Sequence, residues 1–421
     1  MSKNSPATDF NPGQSTAALK LEKSKAGKPS GDAVRLPVQV RNVEQLYDEV
    51  NKTTNGGVTI ELLPGFYELT DTGGRLDLQP DMSLVGVIGD ASAVTIDTQK
   101  LTAQTLAFGS SRGASIRVGL GSNAIEWLTI IGNPTAGAAI ATELSDGSAT
   151  TVSSPTTIRV ANVTWSEPGT AHMSRGVDIR NVGTAMAGRI VDAVIDTCDF
   201  SQGQIGMRFG NFDGANNGEI HAVTKNNKCY ENKMGCSLGN NRTDSAIVDV
   251  SSDTDSFFDN QAGCLIIGGI ITPTNSLVSN RNTTAFVARN TTIENNGVDW
   301  GGMEFGGIVA LGGEAPMKPN TTSFNSVLVR LEECTVRNNV VATDGLVHDF
   351  IAFGARNTQY TTPTEIAGTH NTVAIELYNN HPTPVVEPTI SLPPEPPKPT
   401  NKITIATVKR RGDVQPDSTP A

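Results

Sequence analysis

Gly206-Met207-Arg208-Phe209-Gly210-Asn211, Gly235-Cys236-Ser237-Leu238-Gly239-Asn240 and Gly263-Cys264-Leu265-Ile266-Ile267-Gly268 are three near-copies of one short strand, each opening on glycine. They lie within a stretch from about Asp196 to Gly269, and before each comes a second apolar run with an anchor: Phe200, Cys229, Phe257. A unit of this size cannot bury an apolar face alone, so such units stack and cover one another. The stretch predicts a solenoid of short parallel strands.

Further coils align outward from this centre on one inward residue, followed three positions later by Asn or a turn residue. The anchors are Trp165, Phe200, Cys229, Phe257, Ile293, Val336 and Leu377. The third positions are Pro168, Gly203, Asn232, Asn260, Asn296, Asn339 and Asn380. Successive Asn at one turn predict an asparagine ladder, whose amides bond to copies above and below. Coil length varies because one connection varies, near 211–218, 240–246, 269–283, 313–325 and 355–371. Long connections along one edge of a stack are where solenoids build binding sites.

Residues 1–35 are rich in Ser, Lys, Gly and Pro without periodicity and read as a disordered tail. Asn42 then caps a helix over 43–52, with Gln45 completing a capping box. Val43, Leu46, Tyr47 and Val50 form its apolar face, suited to plugging the open end of a strand stack. Next come Gly56-Gly57, the alternating run Val58-Thr59-Ile60-Glu61-Leu62, Pro64-Gly65-Phe66-Tyr67, and Ser83-Leu84-Val85-Gly86.

That order of elements resembles the opening of the pectin-lyase-like superfamily. The resemblance covers about 38–97 closely, and looser repeats carry it to about 380. It implies an all-β fold, a single-stranded right-handed parallel β-helix with an N-terminal capping α-helix, spanning 36–380. Lyases, hydrolases, phage tailspikes and adhesins share that fold, so it leaves the function open. Residues 381–400 are proline-rich and read as an extended linker. Residues 401–421 form a tail with one strand candidate, Ile403–Val408, either folded back along the stack or docked on a partner.

A formal charge of −11 with no basic stripe argues against nucleic acid as a partner. No run reaches the roughly 18 apolar residues of a membrane helix. The start, Met1-Ser2-Lys3-Asn4-Ser5-Pro6, lacks the apolar core of a secretion signal. Five cysteines (198, 229, 236, 264, 334) are an odd count without zinc-ligand spacing, and they read as buried reduced thiols.

Alternation along the strands separates inside from outside. Val191, Ala193, Ile220, Ala222, Val248 and Val250 read as inward. Asp192, His221 and Asp249 between them then form one outward column, at steps of about 4.8 Å. Glu219 and Arg159 stand beside it. Carboxylates roughly 9–10 Å apart lie at the upper edge of the separation an inverting glycosidase needs, and a histidine between them has its charged form favoured. The column reads either as a general acid–base site or as a solvated polar face.

Asp178, Arg208, Ser237 and Leu265 form a second outward column, with Arg180 two residues along. Outward Arg and Asp are similar to the way lyases of the superfamily hold acidic sugars and their calcium. The catalytic motifs of its polygalacturonases are absent. Asp253, Asp255 and Asp259 form an acidic cluster that lacks the glycine and terminal glutamate of an EF-hand loop; no cofactor is expected, with calcium kept open. Gly109-Ser110-Ser111-Arg112-Gly113 matches G-x-S-x-G, but no helix follows it. Ile266–Ile271 is apolar on both faces, and either a loop or a neighbouring subunit in a homotrimer would cover it.

Two functions follow. The first is recognition of a carbohydrate polymer, a polysaccharide or glycan, on the loop-lined side, with or without cleavage by a hydrolase or lyase mechanism. Asp192, His221 and Asp249 would then do the chemistry, while Arg159, Glu219, Asp178, Arg180 and Arg208 would hold substrate. The second is a non-catalytic structural or adhesive β-helix.

Overall fold

Along Ile190–Asp196 the residues Val191, Ala193 and Ile195 are fully buried, and the four between and around them are half-buried. That two-residue period is what a strand with one face on a core requires. A computed structural model describes residues 36–102, 113–135, 137–142, 156–169, 172–271, 278–298, 306–315, 322–340, 347–354, 356–357, 370–382, 384, 386–389 and 401–408. Within them one coil contains a seven-residue strand (Ile190–Asp196), a three-residue strand (Asp199–Ser201) and an eight-residue strand (Ile205–Phe212). The next coil repeats these at Glu219–Lys225, Lys228–Tyr230 and Met234–Asn241.

One residue with positive φ turns each corner. Thr197, Asn226, Thr254, Asn290, Glu333 and Asn379 follow the seven-residue strands. Gln202, Glu231, Asp259, Asn295 and Asn338 follow the short ones. A single left-handed residue is the least length of chain that can turn a strand so sharply, and Asn tolerates it best after Gly.

The first two strand types build one nineteen-stranded sheet, here sheet A, and the third builds a twelve-stranded sheet B. Coil follows coil by parallel pairing, as in Val191↔Ile220↔Val248 and Val177↔Met207↔Cys236↔Cys264. Parallel crossovers are right-handed in nearly all proteins, so the molecule is a right-handed parallel β-helix. The inward columns form one continuous core from Val40 to Leu377. All five cysteines are buried and reduced, Cys236 directly below Cys264.

The helix Val43–Asn51 caps the first coil. Asn42 accepts from Gln45 N at 2.9 Å, and Leu46 and Val50 are buried in the core. The expected asparagine ladder is present with a different last member. Asn232 N, Asn260 N and Asn296 N donate to the side-chain oxygens of Asn260, Asn296 and Asn339 at 2.9–3.1 Å. Asn339 Nδ2 then donates to Asp349 Oδ1 at 2.9 Å. Asn380 belongs elsewhere: Leu377 pairs with Leu331 on the seven-residue strand, and Asn380 accepts from Cys334 N at the other corner. Leu377 lies near the end of a long strand as Val336 centres a short one, and each has Asn three residues on, so spacing alone confused them.

Two outcomes concern the C-terminal region. Val386–Thr389, containing Pro388, is a strand of sheet B paired with Phe350–Phe353, inside what reads as a linker. It is an edge strand, where the missing N–H of proline is tolerated. Lys402–Val408 pairs in register with Thr372–Tyr378, so this segment does fold back along the stack. The 1–35 tail and most of the G-x-S-x-G segment lie outside the described residues.

Candidate functional site

The register stacks Asp192, His221 and Asp249 in one column of sheet A, as Asp192↔His221↔Asp249. His221 Nε2 lies 2.9 Å from Glu219 Oε2. The column is not an open surface, however. His221 is 2% and Asp249 6% exposed, and Asp192 is half-buried. Ala285 and Val287 on the following coil are also buried although they point outward. The expectation of a solvated face fails here because this part of the sheet is covered. Arg159 turns away from the column, toward Glu126 at 2.6 Å and Asp196 at 3.6 Å.

The second column is built more tightly. Asp178 and Arg208 are register partners on Arg175–Val182 and Ile205–Phe212, and the inward Val177, Ile179, Met207 and Phe209 send their neighbours outward. Arg208 Nε and Nη2 donate to Asp178 Oδ1 and Oδ2, each at 2.8 Å, the two-pronged geometry that suits a guanidinium to a carboxylate. Arg180 Nε lies 2.9 Å and Arg175 Nη1 3.6 Å from Asp178 Oδ2. Asp178 itself is fully buried. Burial pushes its carboxyl up, but Arg180, Arg208 and Arg175 outweigh this and hold it below the ordinary carboxylate range.

Phe212 packs beside this cluster. Its ring lies 4.8 Å from the Arg208 guanidinium carbon and 5.9 Å from that of Arg180, both within cation–π range. Gly210 makes room, since a Cβ there would come within 2.5 Å of the ring. Beneath the cluster a second amide ladder fixes the strand ends. Asn181 Nδ2 donates to Asn211 Oδ1, and Asn211 Nδ2 to Asn240 Oδ1, each at 2.9 Å. Sequence reasoning missed Arg175 and Phe212. Arg175 sits three residues before Asp178, and reaches it because Gly176 and Val177 both face inward. Strict alternation would have put Arg175 on the opposite face.

The last residues of this column are unlike the first. Leu265 and Val309 pack with Ile267 and Leu311 into an apolar cluster that is buried within the single chain, so the apolar run needs no second subunit to cover it. Asp253, Asp255 and Asp259 do not converge. Asp255 is buried in a corner, Asp253 Oδ1 accepts from Asn290, and the Asp259 carboxyl is raised by burial and by Glu231 and Glu294. Among the described residues no group of three or more His, Cys, Asp or Glu is placed to hold a metal ion.

Fold and cluster together define a parallel β-helix with three arginines gathered on one buried aspartate at the outer face of sheet B. No family model matches the sequence, and no curated protein matches it. The chain is similar to the A-module of the Azotobacter vinelandii mannuronan C-5 epimerase AlgE6, at 14% identity and a TM-score of 0.39, over 88% of this chain and 95% of that one. It is also similar to the AlgE4 A-module of that organism, at 13% and 0.37, over 88% and 96%. The alginate lyase AlyGC of the PL6 family is similar at 12% and 0.33, over 82% of this chain and 47% of that one. At these values the likenesses carry no argument, and the architecture rests on strand register.

Proposed function

We propose that this chain binds a carboxylate-bearing polysaccharide at the arginine cluster around Asp178, on the outer face of sheet B. The observation that carries the reading is the convergence of Arg175, Arg180 and Arg208 on one buried carboxylate. Guanidinium groups grip carboxylates through paired N–H donors, and they tolerate desolvation better than ammonium groups do. Asp178 fixes the Arg208 fork through two hydrogen bonds and draws Arg175 and Arg180 close by charge, which reduces the ordering cost when a second carboxylate arrives. A polymer suits the site because the outer column repeats about every 4.8 Å along the stack.

The test is calorimetric titration with uronic-acid polymers. Arg208→Ala is expected to weaken binding about 10- to 100-fold, the worth of a charge-assisted two-pronged contact. Arg208→Lys keeps the charge and loses the fork, and it is expected to fall between the two. Unchanged affinity in both variants overturns the reading.

A further inference from the structure

The outer column that holds Asp178 and Arg208 continues toward the N-terminal end of sheet B. There the register runs Asp77↔Arg117↔Ala141↔Asp178. Leu76, Ile116 and Ile140 beside these residues are buried in the core, so Asp77, Arg117 and Ala141 face the same side as Asp178. Arg75 Nε and Arg117 Nε lie 2.8 and 2.9 Å from Asp77 Oδ1. One arrangement therefore occurs twice in a single column: an aspartate gripped by arginines from its own strand and from the next coil. Among the described residues, Ala141 stands between Arg117 and Asp178 in the column. Ala114, Ala138 and Ala141 pack as a small apolar patch of side chains that end at Cβ.

We infer that Arg75, Asp77 and Arg117 form a second carboxylate-binding station for the polymer held at Asp178, so that the chain of sugars lies along the stack axis rather than across it. This rests on the proposed function. Three strand steps of about 4.8 Å separate the aspartates by roughly 14 Å, about one step for each pyranose of an extended chain. At the first station the arginines are largely sunk, with 5% and 16% of their side chains exposed, while Asp77 is 36% exposed. Arg75 is thus a buried counter-charge, and Arg117 is the more exposed of the two arginines beside Asp77. Two stations on one rigid sheet act as linked sites. The second contact forms at high effective concentration, and affinity rises with ligand length until both are spanned.

The experiment titrates the full chain with oligogalacturonates and oligomannuronates of graded length. Parent affinity is expected to climb up to about five sugars and then level off, the length that covers both stations at one sugar per strand step. In Arg117→Ala the climb is expected to stop at two or three sugars, with roughly tenfold weaker binding of longer oligomers than the parent. Arg117→Lys, which keeps the ion pair with Asp77, separates loss of the fork from local misfolding and is expected to give the parent plateau length at reduced height. If Arg117→Ala and the parent level off at the same length, the second station does not exist. If the parent binds no uronate of any length, the reading at Asp178 falls and takes this one with it. A parent that binds and responds to Arg208→Ala, but whose plateau ignores Arg117, sinks the second station alone.

Discussion

Asp178 and Asp255 are both buried carboxylates, 0% and 1% exposed, in neighbouring parts of the same stack, and their surroundings drive them in opposite directions. Asp178 lies on the outer face of sheet B among three guanidinium groups, which hold it ionised against the cost of burial. Asp255 lies inside a corner of sheet A, where its donors are neutral. Asn227 N and Nδ2 reach Oδ1 at 2.8 and 2.9 Å, and the hydroxyls of Thr224 and Ser252 reach Oδ2. Burial outweighs those four donors and pushes its carboxyl up to about 6. At Asp255 four neutral donors do not replace the lost hydration, whereas at Asp178 three nearby opposite charges do. Asp255 therefore occupies a place where an amide would serve, in line with Asn227 one coil before it. Asp178 occupies one where only a charge would.

The largest expected effect comes from removing the charge that belongs. Asp178→Ala leaves three sunken guanidinium groups around an empty place, and breaking a buried ion pair in this way costs about 3–5 kcal/mol. The urea midpoint at pH 7 should fall accordingly, and polymer binding should fall with it because the forks lose their alignment. A loss well under 1 kcal/mol would mean that the cluster is solvated, and the contrast with Asp255 would collapse.

Removing the charge that does not belong should stabilise. The folded chain holds the Asp255 proton up to a pH of about 6, whereas the unfolded chain releases it near pH 3.9. Between those values the folded state binds more protons, so the parent loses stability as pH rises, by about 3 kcal/mol in all. Asp255→Asn keeps Oδ1 as acceptor for Asn227, and its amide can donate to hydroxyls that turn to accept. Its stability gain over the parent should be near zero around pH 4, grow to about pH 6 and stay level above that. Asp178 has the opposite sign. Its depressed carboxyl adds stability above the unfolded pKa, and that stability is lost as pH falls through the folded value. A pH series of denaturation midpoints on the parent and both variants separates the two slopes. An Asp255→Asn gain that does not vary with pH would show the corner carboxyl to be ordinary.

The smallest effect concerns Phe212. Phe212→Leu removes the ring beside Arg208 and Arg180 and keeps the bulk, so binding should weaken about two- to tenfold, the range of a partly buried cation–π contact. Stability should barely change. An unaltered affinity would show the ring to be packing alone.

Much of this was legible from residue spacing, and the failures have physical causes. Alternation placed Val191, Ile220 and Val248 inward and Asp178 and Arg208 outward, because one-residue slips would reverse every side chain along a strand. It could not have found Arg175, since Gly176 and Val177 face the core together and break the alternation there. The Asn232–Asn339 ladder was readable from its repeat, but the Asn181–Asn211–Asn240 ladder was not, although Gly-Asn recurs openly at 210–211 and 239–240. Nothing in those dipeptides tells an inward amide from a turn residue. The withdrawal of His221 and Asp249 from solvent was hidden because alternation gives a side chain's direction and not what covers it.

The central claim is that the arginine cluster around Asp178 recognises carboxylate groups on a polymer. The most direct measurement titrates the parent chain with one uronic-acid polymer and with the same polymer after its carboxyl groups have been reduced to alcohols. The account predicts saturable binding of the acidic form, weakened by salt and by Arg208→Ala, and at least a tenfold weaker response to the reduced form. Equal affinity for the two, or binding of the acidic form that Arg208→Ala leaves intact, would contradict it.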